Sequence, residues 1–453
     1  MSKIITRFPP SPTGYLHIGR ARTALFNYLF TQNKKGEMVF RIEDTDKERS
    51  KKEFEDIIIE TLSWLGIHYD SGPFRQSERT DTYKTYLHKM IESGHAYISK
   101  ETEGANPEVV RFKNPNKKIQ FTDLIRGEII FDTTDLGDFI IARSINDPLY
   151  HLAVVVDDFE MGITHILRGE DGISNTPRQI LNQEAIGAPR PVYAHIPLIL
   201  APDKSKLSGR HGAVSTTEYR DKGYLPEAIV NYLALLGWNP GTDQEIFTMQ
   251  ELIEQFDITK VQKSGAMFNL IKLNWVNKEH LKKMSEGDFR AGVESRLPEE
   301  MKTREKFSEI FSKLIPIIKE RISFFGEVDD MVQTGELDYY FSAPVFSTDE
   351  SKASISPPEK MRKDKIVTNE STAKILEQIV STISSMPDLD FSQEKIKEAL
   401  WPFAEEQGRG IVLWPMRYSL SGKEKSPDPF TLASILGKIE TISRLKNAIE
   451  AIL

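Results

Sequence analysis

At 453 residues the chain exceeds one ordinary domain and predicts two to four. Its 39% hydrophobic and 28% charged residues describe a globular protein with ample core, and no apolar run approaches the roughly 20 residues that span a bilayer. Cysteine is absent, which excludes disulfides, thiolate nucleophiles and cysteine-based zinc sites, while a net charge of −8 argues against wholesale coating of nucleic acid but allows a local basic stripe.

The first residues, Met1 to Arg7, carry no secretory pattern, so a cytoplasmic protein is expected. Ile4 to Phe8 reads as a short strand. Ala21, Leu25, Phe26, Leu29 and Phe30 follow at helical spacing, with Gly36 near the stop. Met38 to Ile42 is a second strand running into Glu43-Asp44-Thr45-Asp46. A helix after Ser50 carries Phe54, Ile57, Ile58, Leu62 and Leu65, and another carries Tyr83, Tyr86, Leu87, Met90 and Ile91, capped by Gly94. Strand-helix-strand units of this length predict a parallel sheet with right-handed crossovers. Ligands in such sheets collect beyond the carboxyl ends of the strands, where Arg7, His17 and Glu43 would lie.

From 96 to 148 the pattern breaks at Asn106-Pro107 and Asn114-Pro115-Asn116, and short strand-like pieces predict an inserted α+β module. The apolar run Leu152 to Val156 is expected to return the chain to the parallel sheet. Beyond 205 helices dominate, with strong apolar examples at Leu225 to Leu236 and Phe307 to Ile318. Ser351 to Lys360 reads as a loop or linker within the helical half.

Two segments carry chemistry. His17 and Gly19 follow Pro9-Pro10-Ser11-Pro12-Thr13-Gly14 at a strand-to-helix turn, where unpaired backbone N–H groups and the helix dipole favour anions. A histidine there can donate to an α-phosphate, and a glycine lets a base or ribose approach the backbone. Lys206-Leu207-Ser208-Gly209-Arg210 lies in a polar loop; alone it is a solvated basic turn, but joined to the first motif it reads as a clamp on β- and γ-phosphates. Two cations set against one anion would suit a substrate that carries both carboxylates and an ammonium. Arg7 and Arg168 are the candidate cations and Glu43 the candidate anion, with hydrogen bonds from Ser11 and Tyr150. The plain alternative is an internal ion pair between Arg7 and Glu43 on adjacent strands.

The stretch Arg7 to Gly19, together with Lys206 to Arg210, resembles the ATP signatures of class I aminoacyl-tRNA synthetases, and in detail the bacterial-type glutamyl-tRNA synthetases. Arg22 to Asn27, Val155 to Asp158, Gly162 to His165 and Ser174 to Gln179 extend the resemblance, which runs from about residue 4 to the C-terminus. It implies a Rossmann-like parallel-sheet α/β catalytic domain (1–95 and 149–204) with a shortened acceptor-end module inserted at 96–148. A helical stem-contact domain carrying the Lys206 to Arg210 loop (205–290) and an all-helical anticodon-binding region (291–453) complete it.

The activity implied is glutamate–tRNA ligation, with a monomeric enzyme using ATP with Mg2+, L-glutamate and tRNA(Glu), and no protein-bound zinc. The glutamate pocket would comprise Arg7, Ser11, Glu43, Tyr150 and Arg168. ATP would meet His17, Gly19, Glu170, Lys206, Gly209 and Arg210, of which His17, Lys206 and Arg210 are catalytic. Arg111, Lys113, Lys117, Lys118 and Arg126 are candidates for a phosphate-binding face in the insertion. Arg321, Arg409 and Arg417 are the tRNA candidates of the helical half, with Trp414 read equally as core or as a stacking platform. Three departures stand out: Gly209 where the family usually has a second lysine, Gly172 where bacterial relatives commonly have histidine, and Arg20 closing the first motif. Gly172 is expected to leave a gap beside the ligand. A paralogue that glutamylates a modified anticodon base, a tRNA-binding protein with impaired catalysis and a small-molecule nucleotidyltransferase are the alternatives; the first lacks the helical region, and the last leaves the C-terminal half unexplained.

Overall fold

The computed structural model describes residues 3–101, 108–207, 215–362 and 366–453. The chain divides into two compact units, Met1–Lys283 and Met284–Leu453.

The first unit is built on parallel strands. β1 (Ile5–Phe8), α1 (Ile18–Asn33), β2 (Glu37–Ile42), α2 (Lys52–Trp64), β3 (Ser71–Arg75) and α3 (Thr80–Glu92) alternate, and β1, β2 and β3 pair in parallel. Met38, Val39, Phe40 and Ile42 are all buried, as expected of a strand covered on both faces. In α1, Ile18, Ala21, Leu25 and Leu29 are wholly enclosed, so this helix is the main cover of the sheet.

The insertion differs from its sequence-based expectation. Its described residues form β4 (Ala96–Lys100), β5 (Glu108–Phe112), β6 (Lys118–Asp123), β7 (Gly127–Asp132), β8 (Phe139–Ser144) and β9 (Asp147–Pro148), with a single 3-10 turn at Thr134–Leu136 and no α-helix. β4, β5, β8 and β9 form one antiparallel sheet, and β6 and β7 form a hairpin. Phe112, Ile119, Phe121 and Ile141 join the core made by α3 and the helices that follow. The module is therefore continuous with the core of the first unit.

The run Leu152 to Val156 is also not a strand. It lies inside α4 (Tyr150–Glu160), and every residue from Leu152 to Asp158 is buried. A helix enclosed on all sides shows no amphipathic period, so periodicity alone cannot separate it from a buried strand. The strand that returns to the sheet is β10 (His165–Gly169), followed by α5 (Thr176–Ile186) and β11 (Val192–Ile196), parallel to β10. Thr164 joins β10 to β1, its N–H donating to Ile5 O at 2.9 Å. β11 touches β6 at Tyr193 and Asp123, so the hairpin extends this side of the sheet. β1 thus has β2 on one flank and β10 on the other, and strand order reverses there; α/β sheets bind ligands at such a point.

Arg22 fastens α1 to the segment beyond β11, donating to Leu236 O at 2.7 Å and to Pro197 O. The unit closes with β12 (Ile199–Leu200), helices α6 (Thr216–Asp221), α7 (Pro226–Leu235) and α8 (Met249–Gln255), β13 (Ala266–Met267) and α9 (Leu270–Lys283). The second unit is helical, its core formed largely by the helices Asn369–Ser385, Gln393–Gln407, Arg409–Ser421, Pro429–Leu436 and Lys438–Ile452. The stretch read as a linker contains a short helix at Asp349–Ala353, a 3-10 turn at Glu359–Met361 and a fully buried Ile355. No described helix is long and apolar enough to cross a membrane.

Candidate active site

The carboxyl ends of β1, β2 and β10 deliver Arg7, Glu43 and Arg168 to one edge of the sheet, and the turn into α1 brings His17 to the same place. These four residues, with Ser11, Gly19, Tyr150 and Lys206, line a cleft of about 540 Å³. Two sequence motifs nearly two hundred residues apart thus share one cavity wall. Gly209 and Arg210 lie outside the described residues.

His17 is the N-cap of α1, and its Nδ1 accepts the Arg20 N–H at 3.3 Å. A ring nitrogen that accepts must be unprotonated, so a neutral imidazole carries its hydrogen on Nε2. His17 keeps an exposed edge, but protein packed about the ring, then the Arg20 and Lys206 charges, lower its pKa to about 4, against a smaller pull from Asp171. At neutral pH His17 is therefore an uncharged donor. A Cβ added at Gly19 would stand 3.3 Å from the imidazole, so the glycine leaves room for this ring. Lys206 bridges to Leu200 and places Nζ 3.2 Å from Asp171, an exposed pair that screening keeps weak.

A buried charge network lies behind the cleft. Arg41, fully enclosed in β2, donates to Asp158 at 2.8 Å and to Glu43 at 3.2 Å. Burial opposes its charge, but Asp158, Glu43 and Asp157 outweigh burial and raise its pKa. Arg7 Nε lies 3.3 Å from Asp158 Oδ1. The internal pair considered between Arg7 and Glu43 is thus replaced: Asp158 holds Arg7, and Arg41 holds Glu43. Burial pushes the Glu43 carboxyl upward, with Arg41 and Arg7 opposing.

Arg168 is different. Its Nε donates to His195 Nε2 at 3.1 Å, Nη1 to Gln179 Oε1 at 2.7 Å and Nη2 to Thr176 Oγ1 at 2.7 Å. All three partners are uncharged, because burial keeps the His195 pKa low. Burial likewise lowers the pKa of Arg168 itself. Of the five guanidinium hydrogens three are engaged, which leaves two for a ligand in the cleft. The gap expected beside Gly172 is filled by this side chain: a Cβ at Gly172 would meet Arg168 Nε at 2.6 Å and Cδ at 2.8 Å.

Other expected site residues have different surroundings. Glu170 pairs with Arg126 and accepts the Leu198 N–H at 2.7 Å. Tyr150 begins α4 at the cleft rim, and burial and the Glu43 charge raise its pKa. In the insertion, Arg111 pairs with Glu101, Lys117 with Glu184 and Arg126 with Glu170, so three of the five proposed phosphate contacts already have acidic partners. In the second unit, Arg321 binds Glu336 at 2.5 Å and lines a cavity of about 1090 Å³. Arg409 pairs with Glu405 at 2.8 Å and lies over Trp401. Arg417 covers the face of Trp414, whose indole is buried and donates to Ser354 O at 3.0 Å. Trp414 is therefore core rather than an open stacking platform. Among the described residues no cluster of three His, Asp or Glu is placed to hold a metal ion.

Sequence reasoning missed Arg41, Asp123, His195, Thr176 and Gln179 as parts of this site. The adjacent acids Asp157-Asp158 in an apolar run were the available signal for a buried cation. Asp123 and His195, 72 residues apart, offered none.

The model of the tRNA synthetases class I (E and Q) catalytic domain matches residues 3–105 and 98–275, and that of an anticodon binding domain matches 274–449. The chain is 39% identical to a glutamate–tRNA ligase of Carboxydothermus hydrogenoformans, over 97% of this chain and 98% of that protein. It is 50% identical to a glutamate–tRNA ligase of Aquifex aeolicus, over 63% of this chain and 68% of that one. A crystal structure of a glutamate tRNA ligase from Elizabethkingia meningosepticum, in complex with its amino acid, superposes over all of both chains with a TM-score of 0.86 at 34% identity.

Proposed function

The chain belongs to the class I tRNA synthetases of the E and Q group, and from that membership we propose that it is a glutamate–tRNA ligase, a cytoplasmic enzyme that activates L-glutamate with ATP and transfers it to the 3′ end of tRNA(Glu). The observation that carries this reading is Arg168: a half-buried guanidinium in the cleft whose hydrogen-bond partners are all uncharged. Such a charge is costly unless an anion compensates it. Arg7 already has Asp158, so Arg168 is assigned the side-chain carboxylate. Glu43 takes the α-ammonium, and Ser11 and Tyr150 add hydrogen bonds.

The α-carboxylate attacks the α-phosphorus in line, an oxygen–phosphorus bond forms, and the bond to pyrophosphate breaks. His17 donates Nε2–H to the α-phosphate as its charge grows, while Gly19 leaves the ring its space. Lys206, with Arg210 in the segment that includes Gly209, offsets the charge of departing pyrophosphate. Glu170 is assigned to the ATP side of the cleft. Magnesium arrives with ATP without a dedicated protein cage, and no bound zinc is needed. A terminal ribose hydroxyl of tRNA then attacks the acyl carbon and releases AMP. Arg321, Arg409 and Arg417 are assigned to tRNA in the helical unit, and a monomer suffices. The test is ATP–pyrophosphate exchange with tRNA present: glutamate should support it and aspartate should not, and no exchange with glutamate would end the proposal.

A further inference from the structure

Arg168 leaves β10 among uncharged groups, so something must choose which of its hydrogens face the ligand. The acceptor on its Nε is His195 Nε2 at 3.1 Å. An imidazole accepts there only when its other nitrogen holds the proton, and His195 Nδ1 lies 2.7 Å from Asp123 Oδ2. Both His195 and Asp123 are fully or almost fully buried. The Asp123 carboxylate is itself fixed: Oδ1 accepts the N–H groups of Ile125 at 2.9 Å and Arg126 at 2.8 Å, and Oδ2 accepts the His195 N–H at 3.0 Å. Asp123 closes β6, so the chain of contacts runs from the turn of the inserted hairpin to the cleft.

We propose that His195, held in one tautomer by Asp123, is a positioning residue that aims Arg168 at the substrate's side-chain carboxylate, and that Asp123 makes the turn of the hairpin part of the amino-acid specificity of the site. This rests on the ligase reading above. Neither residue lines the cleft, and both act through the arginine. The geometry also predicts what an isosteric change does. Two backbone N–H groups converge on Oδ1 against one, that of His195, on Oδ2, so in Asp123→Asn the amide oxygen stays on the Oδ1 side and its NH2 faces the imidazole. Nδ1 must then accept, the proton moves to Nε2, and a donor confronts the Nε–H of Arg168.

The experiment is steady-state exchange with tRNA present, varying glutamate and ATP separately, for the wild-type chain, Asp123→Asn and His195→Gln. Asp123→Asn should raise the KM for glutamate at least tenfold and leave the KM for ATP within twofold. His195→Gln offers Arg168 an amide oxygen independent of Asp123, and should stay within about threefold of wild type. A glutamate KM unchanged in Asp123→Asn overturns the proposal, as does an equal rise for glutamate and ATP, which marks a merely structural role. If Asp123→Asn does not fold, His195→Asn, which keeps the Asp123 contact but falls short of Arg168, must show the same glutamate-only rise; an unchanged value overturns the proposal. A wild-type chain inactive with glutamate defeats the ligase reading itself, whereas an active wild type with an unaltered Asp123→Asn defeats only the positioning role.

Discussion

The backbone N–H of Arg20 donates to Nδ1 of His17 at 3.3 Å, so one imidazole both caps α1 and presents its hydrogen from the opposite nitrogen. The two roles separate by substitution. His17→Ala should lower the exchange rate about 10²-fold, the usual loss of one donor to developing charge, and destabilise the fold by about 1 kcal/mol through the lost cap. His17→Asn restores a cap and should recover stability without the rate. Parallel melts and exchange assays check this, with the KM for glutamate expected to change less than twofold; equal loss of rate and glutamate binding would make the residue structural.

Arg168→Gln should reduce kcat/KM for glutamate about 10²-fold or more, since the side-chain carboxylate loses its charged donor. Arg168→Lys should not rescue it, because an ammonium cannot satisfy His195, Gln179 and Thr176 together from one fork. Kinetics with glutamate and glutamine side by side measure both effects, and a lysine variant near wild type would contradict the assignment.

Stability should fall on acidification before the carboxylates titrate. Burial lowers the pKa of His151 and of His280 to about 4 from an ordinary 6.5. The unfolded chain therefore binds protons that the native chain refuses. The associated stability is complete above about pH 6.5 and is lost as pH falls toward 4. Urea midpoints across that window should decline, and His151→Gln with His280→Gln should flatten the decline. An identical slope in the double variant would refute the assignment to these two groups.

Gly209→Lys adds a cation three positions after Lys206 in the sequence and should raise the exchange rate. An unchanged rate would mean that Lys206, Arg210 and their neighbours already supply the charge that departing pyrophosphate requires. The comparison needs saturating glutamate, so that only the phosphate side is read.

Local signals carried the first strand-helix-strand units and the placing of Arg7, His17 and Glu43 at a strand end or turn, whereas Arg168 sits in β10, a strand that the pattern does not mark. What was not legible depends on long-range burial. Leu152 to Val156 is apolar throughout, and only its position in an enclosed helix, 11 residues long, identifies it. The hairpin of β6 and β7 reaches β11 through one residue pair, Tyr193 with Asp123, and no local sequence property announces that contact. The space expected at Gly172 is taken by its neighbour in space, the Arg168 side chain, which folds back over four residues.

The most direct test is charging of purified tRNA(Glu) with labelled glutamate by the wild-type chain and by Arg168→Gln. An acid-resistant, base-labile glutamyl ester should form on the tRNA with the wild type, little with the variant, and none when glutamine replaces glutamate. Wild-type enzyme that forms no ester, or that charges glutamine as readily as glutamate, would contradict the ligase reading.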